Sequence, residues 1–173
     1  MSYFFIRTEQ PSDYQAVEPL IKRAFVESGL SDGSEAELVA RLRQDPKFIP
    51  ELSIIATHED LIIGHVLLTP MKIGSNARDF LALAPVSVLP EFQKRGVGKA
   101  LIEEGHMRAK EMGYAGVVVV GHGPYYASLG YSTDLAKDMV FPFEVPSDHT
   151  LYLGLNGKPA PMGEITYLPA FGL

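Results

Sequence analysis

The fold of this chain is decided by the stretch from Phe80 to Met112, whose sequence is FLALAPVSVLPEFQKRGVGKALIEEGHMRAKEM. Its first nine residues are nearly all apolar, which is typical of a buried strand, and Pro90 ends that strand. Residues Gln93 to Gly98 open a segment with helical periodicity, in which apolar residues recur every three or four positions. We therefore predict a strand, a short turn and a helix in direct succession.

The turn between this strand and this helix has the composition of an anion-binding site. The first N–H groups of a helix have no partner within the helix, and the helix dipole places partial positive charge around them. Gly96 and Gly98 let the backbone approach a ligand closely. Positive charge is added by Lys94, Arg95 and Lys99. We therefore expect the ligand to carry phosphate groups.

Length and composition indicate one globular domain. The chain has 173 residues, of which 46% are apolar, enough for one buried core but too few for two domains. Its net charge of -6 argues against a nucleic-acid partner. Because cysteine is absent, disulfides, thiolate metal ligands and a cysteine nucleophile are excluded. No stretch resembles a signal peptide or a membrane-spanning helix, so we expect a cytoplasmic protein without a membrane partner.

Hydrophobic periodicity predicts an α/β (α+β) domain with four strands before the turn. Two helices follow the first strand. The first contains Pro19, which should bend it or mark its start, and the second opens with a capping-box pattern at Ser34 and Glu37. A strand-helix-strand crossover around the turn makes strands four and five parallel. The predicted strands are Phe4 to Arg7, Leu52 to Thr57, Leu61 to Ile73, Phe80 to Val88 and Val117 to Val120, with further candidates at Met139 to Val145, Leu151 to Leu155 and Glu164 to Leu168.

Two motifs lie at either end of the predicted crossover. The first is Gln93-Lys94-Arg95-Gly96-Val97-Gly98, and the second is Tyr125-Tyr126-Ala127-Ser128-Leu129-Gly130-Tyr131. They resemble two elements of the GNAT superfamily of acetyl-CoA-dependent N-acetyltransferases: Gln/Arg-x-x-Gly-x-Gly/Ala at the start of the helix after strand four, and a downstream aromatic-Tyr-x-x-x-Gly-aromatic element. The order of elements also matches, from Phe4 to about Tyr131. The resemblance implies one N-acetyltransferase domain over residues 1–173, with residues 137–173 supplying C-terminal strands and a tail.

The resemblance implies a mixed, mostly antiparallel sheet, flanked by helices, that splays open between strands four and five to bind acetyl-CoA. Backbone amides of residues 94–99 would hold the pyrophosphate, and the main chain of Val86 and Val88 would pair with the pantetheine arm. The Val88 amide would also stabilise the oxyanion. Adding a side chain at Gly96 or Gly98 should therefore disturb the site more than substituting Gln93 or Lys94. The implied cofactor-binding residues are Val86, Ser87, Val88, Gln93, Lys94, Arg95, Gly96, Val97, Gly98 and Lys99, and no metal is expected.

Acetyl transfer to an amine also requires an acid and a base. By its place in the aromatic element, Tyr126 would protonate or hydrogen-bond the leaving CoA thiolate. At pH 7 an alkylamine is about 99.9% protonated, so its proton must be accepted before it attacks. Relatives are expected to use a strand-four Glu or a relayed water, but residues 80–89 contain no carboxylate. The base is therefore left open among Asp32, Glu35, Glu37, His122 and water.

These features predict transfer of acetyl from acetyl-CoA to a primary amine of a small molecule or peptide. Direct transfer through a ternary complex is favoured because no cysteine can carry the acetyl group. The alternatives are a catalytically silent acyl-CoA-binding or sensor domain and a domain for another phosphate-bearing ligand, such as a nucleotide. A homodimer is left open.

The resemblance to the GNAT superfamily implies acceptor walls in two segments, Gly29 to Glu37 and about Pro142 to His149. Acidic residues in both segments would attract a cationic amine. These residues are Asp32, Glu35, Glu37 and Asp148. The prolines of the last segment, Gly157 to Leu173, predict an ordered loop or an addition to the sheet edge.

Overall fold

The computed structural model describes residues 3–26, 33–75 and 77–173. Its strands are β1 (Phe5–Thr8), β2 (Ser53–His58), β3 (Leu61–Ile73), β4 (Phe80–Val88), β5 (Gly116–Val120), β6 (Met139–Val140), β7 (Thr150–Gly154) and β8 (Gly163–Thr166). Its helices are α1 (Tyr14–Val26), α2 (Glu35–Gln44), α3 (Val97–Glu111) and α4 (Gly123–Ala127). The sheet runs in the order β1-β2-β3-β4-β5-β7, and β8 pairs with both β3 and β6.

The sheet is mostly antiparallel, and β4 and β5 are parallel neighbours as predicted. They pair over only three positions, from Phe80 opposite Gly116 to Ala82 opposite Val118. Both strands continue past this point, β4 to Val88 and β5 to Val120. The predicted opening between strands four and five is confirmed.

A bulge in β4 lies at the start of this opening. Against β3, Leu83 pairs with Leu68 and Val86 pairs with Val66, so β4 has one extra residue over this interval. A bulge bends its strand and increases the local twist. Pro85 lies within it and has no N–H to donate to either neighbour. The bulge therefore accounts for the separation of β4 from β5.

Helices cover both faces of the sheet. On one face, the apolar side of α3 packs over a core that includes Val66, Leu68 and Leu101. On the other, α1 and α2 surround Ile55 and Leu67. A third buried cluster joins the ends of β3 and β4 to the C-terminal segment. Among the helices of the described ranges, none is long and apolar enough to cross a bilayer.

Several local expectations are corrected by the structure. Helix α1 begins at Tyr14 and includes Pro19, so Pro19 does not mark its start. Ser34 is the N-cap of α2, but its side chain makes no capping hydrogen bond. Strand β6 has two residues instead of the predicted seven from Met139 to Val145, since Pro142 cannot donate to a ladder. Strand β8 ends at Thr166, before Leu168.

A buried polar cluster connects α2 with the strands β2 and β3. The Glu9 carboxylate accepts hydrogen bonds from Arg43 at 2.6 Å and from the Ser53 hydroxyl at 2.7 Å. The Ser53 oxygen lies 3.0 Å from Nε2 of His65, which is fully buried. Burial, assisted by the positive charge of Arg43, lowers the pKa of His65 to about 3. His65 is therefore neutral in the folded protein at pH 7.

The buried His65 should make stability depend on pH. Its pKa is about 3 when folded and about 6.5 when unfolded. Between these values the unfolded chain binds the extra proton, so stability falls as the pH falls below 6.5. We therefore expect the free energy of unfolding to fall more steeply with falling pH in the wild type than in His65→Gln. Between pH 6 and pH 4 the difference between the two slopes should be up to about 1.4 kcal/mol per pH unit. Urea denaturation of both proteins measures this, and parallel pH profiles would contradict it.

Candidate active site

A cleft of about 480 Å³ opens between β4, the start of α3 and α4. All the predicted cofactor-binding residues line it except Ser87 and Arg95, and the predicted acid Tyr126 lines it as well. The structure thus brings together two motifs that are about thirty residues apart in the sequence. The lining residues are Val86, Val88, Phe92, Gln93, Lys94, Gly96, Val97, Gly98, Lys99, Tyr125 and Tyr126.

The turn before α3 has the backbone shape of an anion-binding nest. Lys94 has a φ of +62° and Gly96, the N-cap of α3, has a φ of +83°. Left-handed residues within such a turn direct successive N–H groups into one concavity. The first free N–H groups of α3 add to this concavity. This backbone geometry is compatible with the predicted phosphate-binding turn.

The main chain of β4 faces the cleft at the predicted positions. The N–H of Leu89 donates to the Ile63 oxygen on β3 at 2.9 Å. Because backbone groups alternate in direction along an antiparallel strand, those of Val86 and Val88 point away from β3. The Val88 oxygen accepts a hydrogen bond of 3.2 Å from Nε2 of Gln93. Gln93 is expected from the sequence to tolerate substitution. Its side chain is nevertheless bonded to Val88, whose N–H is the predicted oxyanion donor.

Ser87 and Arg95 lie outside the cleft. The Ser87 side chain is 1% exposed and pairs across the strands with His65, on the face covered by α1 and α2. Its hydroxyl has no hydrogen-bond partner within the described part of the chain. The guanidinium of Arg95 lies 5.9 Å from the centre of the Phe92 ring. The structure therefore does not bring these two predicted cofactor-binding side chains to the cleft.

Tyr126 is held in a cluster of aromatic rings at the inner end of the cleft. Its ring centre lies 5.1 Å from that of Tyr125 and 5.7 Å from that of Tyr131. Gly121 allows this placement, because a Cβ there would lie 2.7 Å from the Tyr126 ring. Burial, together with the neighbouring Tyr125, raises the pKa of Tyr126 to about 12. The Tyr126 hydroxyl is therefore protonated at neutral pH and can act as a hydrogen-bond donor.

Tyr126 and Tyr131 differ in what their hydroxyls contact. The Tyr131 oxygen lies 2.6 Å from Nε2 of His106 on α3. By contrast, no residue of the described ranges is a hydrogen-bond partner of the Tyr126 hydroxyl. Of these two packed tyrosines, only Tyr126 lines the cleft. This difference favours Tyr126 as the group that acts on a ligand.

The structure places none of the candidate bases at the cleft. Asp32 lies outside the described residues. Glu35 and Glu37 are in the first turn of α2, on the opposite face of the sheet from α3. His122 lines a separate cavity together with Asp148 and His149. Among the residues that the structure describes, no group of three or more His, Cys, Asp or Glu could hold a metal ion.

A second, smaller cavity of about 140 Å³ lies at the same opening of the sheet, away from α3. Of the predicted acceptor walls, only Phe143 contributes to it. The C-terminal tail contributes Tyr167, Phe171 and Leu173, which sequence analysis did not assign to a site. The only sequence signal was the presence of aromatic residues in a proline-rich tail. The remaining lining residues are Ala82, Leu83 and Ala84 of β4 and Val118 and Val120 of β5.

The fold and the cleft define a class of enzyme. A mixed sheet is opened beside a turn with the shape of an anion-binding nest, and a strand amide and a tyrosine hydroxyl are available at the opening. Amides at a helix start suit phosphates, a free strand edge suits an extended arm, and the two donors suit a reacting thioester. These are the features of an acyltransferase that uses an acyl-CoA.

Comparison with known proteins identifies the family. A family model described as acetyltransferase (GNAT) domain matches residues 50–133, which include both motifs. YjhQ, an uncharacterised N-acetyltransferase of Escherichia coli, is 34% identical over 150 residues, covering 85% of this chain and 80% of the relative. YhbS of the same organism, also an uncharacterised N-acetyltransferase, is 30% identical over 135 residues, covering 78% and 77%. The chain belongs to the GNAT family of N-acetyltransferases and is an acyltransferase.

Two solved structures share this fold over nearly their whole length. The crystal structure of Escherichia coli YhbS in complex with CoA has a TM-score of 0.87 and 25% identity, covering 100% of this chain and 94% of the other. A GNAT family acetyltransferase of Brucella melitensis in complex with acetyl-CoA has a TM-score of 0.83 and 29% identity, covering 99% of both chains. The predicted fold is thus confirmed.

The two left-handed residues of the turn should respond differently to substitution. Gly96→Ala places a Cβ on a residue with φ of +83°, which costs about 1–2 kcal/mol of stability. Nothing within 4 Å of that Cβ would add a steric clash. Lys94→Gly removes the corresponding strain and should leave stability unchanged or raised. Urea denaturation measures both, and a Gly96→Ala variant as stable as wild type would contradict the assigned backbone geometry.

Proposed function

We propose that the chain transfers the acetyl group of acetyl-CoA directly to the primary amine of a small molecule or peptide, in a ternary complex. The observation that carries this proposal is the cleft, where the main-chain edge of β4, the start of α3 and Tyr126 line one opening. The relatives of the same fold that are bound to CoA and to acetyl-CoA support it. The absence of cysteine supports direct transfer, since there is no thiol to carry an acetyl group.

In this proposal the cofactor is held mainly by backbone atoms. The nest around Lys94 and Gly96 binds the pyrophosphate, and Lys99 adds a positive charge beside it. The pantetheine arm pairs with the main chain of Val86 and Val88, along the part of β4 that does not pair with β5. The thioester then lies beside Val88 and Tyr126.

The chemical step requires a neutral amine and two hydrogen-bond donors. The amine nitrogen forms a bond to the thioester carbon, and the Val88 amide stabilises the oxyanion that develops. When the carbon–sulfur bond breaks, Tyr126 donates a hydrogen bond or its proton to the CoA thiolate. The nitrogen loses one proton in the process. The base that accepts it is a prediction left open among Asp32, Glu35, Glu37, His122 and water.

Two alternatives are separated by simple titrations. Membership of an enzyme family and the position of Tyr126 favour catalysis over a silent acyl-CoA-binding domain. The CoA-bound relatives favour CoA over a nucleotide. Calorimetric titration with CoA, acetyl-CoA and ATP, followed by a thiol-release assay with a panel of amines, tests the proposal. Binding of ATP without binding of CoA would refute it.

The backbone approach at Gly98 can be tested through cofactor affinity. A Cβ at Gly98 would lie 3.3 Å from the Tyr125 hydroxyl and 3.6 Å from the nearer methyl of Val88, so a larger side chain must enter the cleft. We expect Gly98→Leu to weaken CoA binding roughly 100-fold, measured by calorimetry. Lys110→Leu, which adds the same side chain near the other end of α3, is the control and should bind CoA normally. Wild-type affinity in Gly98→Leu would be incompatible with the proposed cradle.

The acid role of Tyr126 can be tested through turnover. Tyr126→Phe removes only the hydroxyl and should lower kcat about 100-fold while leaving the Kd for CoA near its wild-type value. Tyr114→Phe is the control, because Tyr114 packs against the same core without lining the cleft. Steady-state kinetics with any accepted amine supply the measurement. If kcat of Tyr126→Phe equals that of Tyr114→Phe, the leaving thiolate is not assisted by this hydroxyl.

A further inference from the structure

The cavity of about 140 Å³ between β4 and β5 is lined almost entirely by apolar side chains. Tyr167 carries the one polar side-chain group among the described residues of its wall. Three aromatic rings form its outer side. The Phe143 and Tyr167 ring centres are 5.9 Å apart, and those of Tyr167 and Phe171 are 4.9 Å apart. The sequence analysis placed acidic residues around the acceptor, so it did not predict this apolar surface.

The position of the cavity connects it to the proposed reaction. Ala82 and Val118, the last paired residues of β4 and β5, both line it. Ala84, also in its wall, is two residues before Val86, which lines the cofactor cleft. Two residues of strand span about 7 Å. A ligand group in the cavity is therefore within reach of a thioester held beside Val86 and Val88.

The size of the cavity limits what it can hold. An apolar cavity of about 150 Å³ is large enough to bind benzene. A space of about 140 Å³ therefore fits one phenyl ring or a branched alkyl group. A second ammonium or a sugar ring would lose its hydration without gaining a charged side chain of this wall as a partner.

We propose that this cavity binds the apolar group of the acceptor, so that the substrate is a primary amine on a phenyl-sized or branched alkyl group. The inference rests on the proposed acetyl transfer and specifies its second substrate. The amine nitrogen points from the cavity toward Val86 and Val88, and the apolar group packs on Phe143, Tyr167 and Phe171. Polyamines and aminoglycosides are excluded as preferred substrates by the same lining.

The apolar wall also bears on the missing base. An ammonium group loses hydration when it enters apolar surroundings, which favours its neutral form. The acceptor then releases its first proton to water on binding, and the neutral nitrogen can attack. The second proton, which the nitrogen loses as the amide forms, goes to the base left open above. Burial raises the pKa of Tyr167, so its hydroxyl remains neutral and offers a hydrogen bond without a charge. No carboxylate in the wall is needed for this step.

Two matched sets of amines test the proposal. With acetyl-CoA saturating, benzylamine, phenethylamine and isobutylamine should each have a kcat/KM at least about tenfold above putrescine and ethanolamine. Calorimetric titration of benzylamine in the presence of CoA gives an independent binding readout. A higher kcat/KM for putrescine, or no benzylamine binding to the CoA complex, would overturn the proposal. The proposed function is tested by CoA titration and by thiol release with any amine of the panel, so the two failures are distinguishable.

Two variants test the cavity itself. Ala84→Leu fills it and should lower kcat/KM for benzylamine at least about tenfold with an unchanged Kd for CoA. Ala77→Leu, the same change at an exposed residue before β4, is its control. Phe171→Ala enlarges the cavity and should raise kcat/KM for naphthylmethylamine relative to benzylamine. Unchanged amine preference in both Ala84→Leu and Phe171→Ala would show that the acceptor binds elsewhere.

Discussion

The site depends on the loss of pairing between β4 and β5 after Ala82 and Val118. A strand in the middle of a sheet normally has both of its edges hydrogen-bonded, and buried backbone groups rarely remain unpaired. The bulge around Pro85 bends β4 so that Val86 and Val88 present a free edge. One distortion thus creates both the cleft for an extended ligand and the apolar cavity behind it.

Packing of α3 sets the other side of the cleft. A Cβ at Gly64 would lie 2.9 Å from Leu101, and one at Gly105 would lie 2.8 Å from Leu68. Glycine at these two positions lets the helix approach β3 this closely without displacing a leucine methyl. The helix start is thereby fixed beside the free edge of β4, with the nest facing the opening. The turn before α3 is therefore positioned by the core as well as by its own sequence.

Local sequence rules predicted the strand, turn and helix from Phe80 to Met112, because apolar period, proline and glycine act within a few residues. They could not place the C-terminal tail, since β8 reaches β3 across about ninety residues of chain. They also misplaced Ser87. The extra residue in the bulge reverses the alternation of β4, so Ala82 and Ser87 lie on the same face. The positions of β8 and Ser87 depend on strand register, which is a property of two paired strands together.

The division of the site into two halves follows from the same geometry. The cofactor side requires donors for phosphates and for a developing oxyanion, and a free strand edge and a helix start supply them with backbone atoms. The proposed acceptor side lies where the strands diverge over a hydrophobic core, so the walls of that cavity are alanines, valines and aromatic rings. A carboxylate among these residues would require its own partners to offset its desolvation. An apolar wall that favours a neutral amine is consistent with this environment, and under the proposal it would reduce the need for the acidic residue expected on strand four.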